Sequence, residues 1–208
     1  MKTATITKTN KRDFSQYPLV VKSHASANKI FFGLVSLGVV LPFVLPESAW
    51  LIDSFVFQQL STLIPSARKL ASAALFPNVV HAYVLIMLTL SFLAGIGHFV
   101  LLTPRREQLQ AGIVMSFPRG RWYLWFQALL GIPVFTALLA FFYIFPGQPT
   151  SDPHGSRGQL IVSLMLMTKP GLAIFGGITA AGCFAGWWIL VSAFYTLFFL
   201  PFLTSSKH

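Results

Sequence analysis

The chain has 208 residues, a length that in a soluble protein would mean one or two small domains, yet 55% of them are hydrophobic, 10% are charged and the mean hydropathy is +0.70. That balance excludes a soluble globular protein and requires a membrane protein. The formal charge of +10 comes from Lys and Arg gathered around long apolar runs, so it signals topology and does not imply nucleic acid, while the single cysteine, Cys183, excludes an intramolecular disulfide and a paired-thiol redox or metal site.

A bilayer core of about 30 Å needs roughly 20 apolar helical residues at about 1.5 Å each. Residues 1–29 are expected to be a basic tail, of which the first 23, rich in Thr and Lys, read as mobile. The first span lies near 30–45, where Pro42 and Pro46 favour a kink and a stop. A cleaved signal peptide is not expected, because 29 residues precede this run and Glu47 stands where a small residue would be wanted before a cut at Ala49. Residues 46–78 then carry Val56, Leu60, Leu63, Ala67, Leu70 and Ala74 at steps of four and three, opposed by Gln58, Gln59, Ser61, Arg68 and Lys69. This predicts an amphipathic helix on the membrane surface or on its own bundle, split in two by Pro65.

The second and third spans, near 79–102 and 122–145, contain no Lys, Arg, Asp or Glu. Residues 147–159 form a turn-rich loop, and 160–167 are apolar but too short to cross. The last apolar run, 171–203, would be about 50 Å as one helix, so a fourth span near 174–200 must protrude, bend or tilt. Residues 204–208 complete the chain as a short polar tail, and 30–203 make up the membrane domain.

All charged residues fall outside these spans, and their sides alternate. Lys2, Lys8, Lys11, Arg12, Lys22, Lys29, Arg105, Arg106, Arg119, Arg121 and Lys207 share one side, against Arg68, Lys69, Arg157 and Lys169 on the other. The positive-inside rule therefore predicts an all-α integral protein of the cell inner membrane, with four transmembrane helices, both termini cytoplasmic and the amphipathic helix in the first outer loop. Arg105, Arg106, Arg119 and Arg121 are its topological anchor and a contact for lipid headgroups. No internal repeat is present, which disfavours an inverted-repeat transporter.

Ionisable groups inside spans mark ion or proton routes because their burial is costly. Only His81 and His98 qualify, on one helix and about 25 Å apart along it. A bis-histidine haem would need a histidine on a facing span, and the others have none, so no cofactor and no metal are expected. Each imidazole should sit at an interface, bonded to water, a headgroup or a backbone carbonyl. Ser91, Ser192, Cys183 and His98 are the only raw material for intramembrane hydrolysis, without a nucleophile motif, so no enzyme is expected. Asp152 beside His154 reads as a turn before Pro153.

The fourth span carries a packing signal. Gly177, Ala181 and Ala185 form one small-residue ridge and Gly182 with Gly186 an adjoining one, which lets helix backbones approach closely in lipid. Trp187 and Trp188 lie well inside the same run, unlike Trp122, Tyr123 and Trp125 beside the arginines. These seven residues of the last helix are the candidate partner-binding set, and the bundle's own packing is the competing use for them.

Four spans, both ends cytoplasmic, a long first outer loop, and a short second one leading into a long last helix resemble the immunity proteins to pore-forming colicins of the colicin A type. The stretches that invite the comparison are GSRGQLIVSLMLMTKPGLAIFGG, 155–177, and AFYTLFFLPF, 193–202. The resemblance covers most of the chain by layout, and the amino-terminal tail here is longer. It implies a non-enzymatic inner-membrane protein that binds the hydrophobic helices of a membrane-inserted toxin. The alternative is an accessory membrane subunit or exclusion factor of a conjugation or secretion apparatus; a transporter or channel subunit comes after both. Membrane lipids and another membrane protein are the expected partners, and a homo-oligomer is compatible with the ridge.

Overall fold

A computed structural model describes residues 17–116, 121–144 and 166–205. Among these there are no strands. The helices are α1 (Pro18–Val44), α2 (Phe55–Leu63), α3 (Pro65–Ser72), α4 (Pro77–Leu102), α5 (Arg105–Ser116), α6 (Arg121–Tyr143) and α7 (Lys169–Ser205). Proline stands in the first turn of α1, α3 and α4, where its fixed φ suits a helix start and its missing N–H costs nothing. Four helices, α1, α4, α6 and α7, are long and apolar enough to cross a membrane.

The hub of the bundle is α7, which packs most extensively against α1, α4 and α6. Glycine makes those approaches possible. A Cβ on Gly38 of α1 would lie 2.4 Å from the Cα of Gly177, and one on Gly95 of α4 would lie 2.6 Å from the Cβ of Trp187. The Tyr83 ring lies against Gly176, and its hydroxyl donates to the Gly38 carbonyl at 3.3 Å, so α4 wedges into the α1–α7 crossing. Such close contact replaces the hydrophobic drive that lipid removes.

Hydrogen bonds close both ends of the bundle. At one end Lys169 pairs with Glu47 at 2.8 Å, Asn78 Nδ2 donates to the Glu47 carbonyl, and the Leu75 N–H donates to the Leu166 carbonyl. At the other, His98 Nε2 meets the Ser23 carbonyl at 3.1 Å and Trp188 Nε1 donates to Thr103 Oγ1 at 3.3 Å. The start of α1 and the second half of α7 therefore share one end. Helix α6 stops short of the opposite end, because the Tyr143 hydroxyl donates to the Leu88 carbonyl at 2.6 Å, about 16 Å along α4 from Pro77. Lys69 Nζ donates to the Ile144 carbonyl at 3.3 Å, a cation placed at a helix carboxyl end.

Several boundaries differ from the sequence reading. The first helix begins at Pro18, well before the apolar run at 30, and holds Lys22 and Lys29 within it, because Val20, Ser23 and Ala27 are buried. Tertiary packing extends a helix past its apolar segment. The last helix is continuous from Lys169 to Ser205, about 55 Å, and so exceeds the span expected near 174–200 at both ends. The stretch after the second span, legible in the sequence only as a basic anchor, forms α5.

The stripe expected on 56–74 is divided. Pro65 separates α2 from α3, as its ring requires. On α3 the expected pattern holds, with Ala67 buried and Arg68 and Lys69 exposed. On α2 Val56 and Leu63 are 62% and 72% exposed, as a stripe turned to the membrane surface would be, whereas Ser61, expected on the opposing polar side, is buried. Ser61 turns inward because its hydroxyl donates to the Phe57 carbonyl and meets His81 Nε2 at 2.8 Å, so the buried imidazole decides which face of α2 packs on α4. The basic residue Arg119 and the loop 147–159, with Asp152 and His154, lie outside the described residues.

Candidate intramembrane interaction surface

The seven candidate residues of α7 do not form one face. Gly177 lies against the Val35 carbonyl and Gly38 of α1, and Ala181 is fully buried in the cluster of Ala27, Leu34 and Phe184. Gly186 faces α6, where a Cβ would lie 3.3 Å from Leu139 Cδ2. Ala185 is half-buried. Trp187 sits edge-on to Phe92 and Tyr143 and donates to the Tyr143 hydroxyl at 3.0 Å. Trp188 is wedged between His24 and His98, with ring centroids 5.3 and 5.2 Å away. Gly182 alone of the glycines on this ridge is open, with nothing within 4 Å of an added Cβ.

Around Gly182 the helix presents Ile174, Ile178 and Ile189, all exposed, at steps of four, four and seven. Those steps keep the four residues on one side of α7. The contacts to α1 (Gly177, Ala181) and to α6 (Gly186) fall on opposite flanks of that strip. The result is an apolar face of α7 bordered by two helices, with a notch at Gly182 where another backbone can approach closely.

The remaining candidates are engaged elsewhere. With its one proton committed to the Phe57 carbonyl, Ser61 Oγ accepts from His81 Nε2–H, a side-chain partner where a carbonyl, water or headgroup was expected. His98 donates from Nε2 to a backbone carbonyl, as expected of it, and its Nδ1 lies 3.5 Å from Thr103 Oγ1. The sequence reading found no histidine facing His98, because it ended the membrane domain at residue 30; the longer α1 brings in His24, with Trp188 against both imidazoles. The helical spacing of Val20, Ser23 and Ala27 was the signal that could have found it. Among the described residues no three His, Cys, Asp or Glu side chains come together.

Ser91 Oγ lies 2.6 Å from the Met87 carbonyl and 2.7 Å from the Ala180 carbonyl, tying α4 to α7. Cys183 is fully buried, and Ser192 Oγ has no partner among the described residues. The serine that does meet a histidine is Ser61, and its own proton goes to the Phe57 carbonyl. In the basic cluster, Arg105 donates from Nη2 to the Val100 carbonyl at 2.8 Å and lies over the Phe99 ring, closing the end of α4. Arg106 is exposed, and Arg121 opens α6.

No protein-family model matches this chain, and no curated protein or solved structure does.

Proposed function

We propose that this is a non-enzymatic inner-membrane protein that acts by helix contact within the bilayer, and that the contact gives immunity to a pore-forming bacteriocin. The observation that carries the reading is the open strip of α7, where Gly182 interrupts a row of isoleucines while the other ridge glycines are covered by the bundle itself. A membrane-inserted toxin helix, apolar on its lipid-facing side, suits such a strip. In this reading both termini are cytoplasmic, because eleven Lys and Arg lie on that side against four on the other. The start of α1 and the second half of α7 share one end of the bundle, which supports placing the two on the same side without deciding which side that is.

Expression of the protein alone in a toxin-sensitive cell should protect it, and Gly182→Leu should abolish protection while the protein accumulates normally. Full protection by that variant would refute the strip as the contact. A reporter fused after His208 should be cytoplasmic and one inserted in 147–159 outside; the reverse would overturn the orientation. Failure of the wild-type protein to protect, with accumulation dependent on a neighbouring membrane protein, would instead make it a docking subunit of a conjugation or secretion apparatus.

A further inference from the structure

Helix α6 is interrupted at its middle. Pro133 stands inside it, two residues after Gly131, so the Leu129 carbonyl has no N–H four residues on and the proline ring crowds it. Proline is where a helix bends most readily, and the surroundings leave the bend free. Pro133 is exposed, and a Cβ added to Gly131 would meet only the Cβ of Ala193, at 3.9 Å. Hollows flank the half that follows, 134–143. Thr136, Leu139, Ala140 and Tyr143, on one side of the helix, form a wall of an apolar groove of about 610 Å³ shared with Leu63 of α2 and Leu93 of α4. Phe141 and Phe142 border a second hollow of about 100 Å³ against α3, α4 and α7. Val134, Leu138 and Phe141 are exposed, so no described helix stands outside to hold the segment in.

A polar knot holds the end of this half. Among the described side chains of α6 only Tyr143 is hydrogen-bonded. Its hydroxyl donates to the Leu88 carbonyl at 2.6 Å and accepts from Trp187 Nε1–H at 3.0 Å, so one oxygen joins α4, α6 and α7. The apolar contacts of the same half with α7 gather at Phe135 and Leu139, around Gly186. Lipid tails replace apolar contacts with little loss but offer nothing in place of a hydrogen bond, so the knot outweighs them. The Lys69 ammonium on the Ile144 carbonyl belongs to a long, exposed side chain that can follow the helix end.

We infer that the outer half of α6 is a lateral flap, hinged at Gly131–Pro133 and latched by Tyr143, whose opening widens the groove and brings Trp187 into contact with lipid. The hinge gives the bend its place, the hollows give the segment room, and the latch puts the equilibrium under one hydroxyl. The flap rests neither on the Gly182 strip nor on a toxin.

Double electron–electron resonance on the full-length protein in lipid bilayers tests it. Cys183 is fully buried, so spin labels go to introduced cysteines. One pair joins Val40→Cys on α1 to Phe141→Cys on the flap, and a second joins Val40→Cys to Leu129→Cys on the inner half; all three positions are exposed. Tyr143→Phe keeps the ring and removes the knot. In that variant the long-distance population of the first pair should rise about tenfold, the equivalent of one hydrogen bond, while the second pair keeps its wild-type distances. Trp187→Phe leaves the bond to Leu88 in place and should raise the same population less. Adding Pro133→Ala to Tyr143→Phe should return the first pair towards the wild type, because the restored backbone bond stiffens the hinge. Unchanged distances in Tyr143→Phe, or in Trp187→Phe where the former does not accumulate, would overturn the latch. Equal shifts at Leu129 and Phe141 would show α6 moving as a rigid rod and overturn the flap, and no effect of Pro133→Ala would overturn the hinge.

Discussion

Gly177 and Gly182 stand on the same helix, five residues apart, and meet opposite fates. At Gly177 the backbone of α1 comes so close that an added Cβ would lie 3.0 Å from the Val35 carbonyl oxygen, whereas Gly182 faces open space. Gly186, four residues on, is intermediate, because what it meets is the flexible tip of Leu139 and not a backbone. Residue type and helical spacing are the same in all three cases. What differs is the neighbour, so small residues in a membrane helix mark possible approaches without saying whether the approach is made within the chain or left for a partner.

That contrast can be broken most directly at the α1–α7 crossing. Gly38→Leu forces a side chain into the backbone of Gly177 and the Tyr83 hydroxyl, so it should cost more than about 3 kcal/mol and leave little protein in the membrane, read by immunoblot and by melting of solubilised protein. Wild-type accumulation and melting of that variant would end the distinction between covered and open glycines. Ser61→Ala leaves the His81 Nε2–H buried without its acceptor and should cost about 1–3 kcal/mol. A double-mutant cycle with His81→Ala should recover part of that loss, and simple additivity would mean that the bond does not hold α2 on α4. At Gly186, Ala should lower stability by less than about 1 kcal/mol, since Leu139 can yield by a few tenths of an ångström. Glu47→Gln should have the smallest effect of the destabilising set, below about 1 kcal/mol, because the Lys169 pair is solvent-accessible and screened; its melting curve in high salt should overlie that of the wild type. Gly182→Leu should change the melting temperature least of all, which is what makes it a test of contact and not of folding.

The protein's two histidine-centred contacts teach a related lesson. His81 fixes the rotation of α2, and through it the elbow that carries Arg68 and Lys69. His98 binds α1 to α4 through the Ser23 carbonyl. Both positions are visible in the sequence as ionisable groups within a span, but their partners are not, since Ser61 stands in the polar set of its helix and Ser23 before the apolar run. A buried polar group takes whichever partner the packing offers, and it can override an amphipathic pattern only nine residues long.

Composition alone determined that this chain is helical and built for a bilayer, because a long run of apolar residues without charge can satisfy its backbone in lipid only as a helix. The second and third spans were legible to within a residue or two for the same reason, each bounded by proline or arginine. The sequence could not say where α1 truly begins, since its extension is stabilised by neighbours and not by its own hydropathy. Nor could it tell which ridge glycine is open or which face of α2 turns inward. Those are relations between residues far apart in the chain, and only the packing of α7 among three other helices decides them.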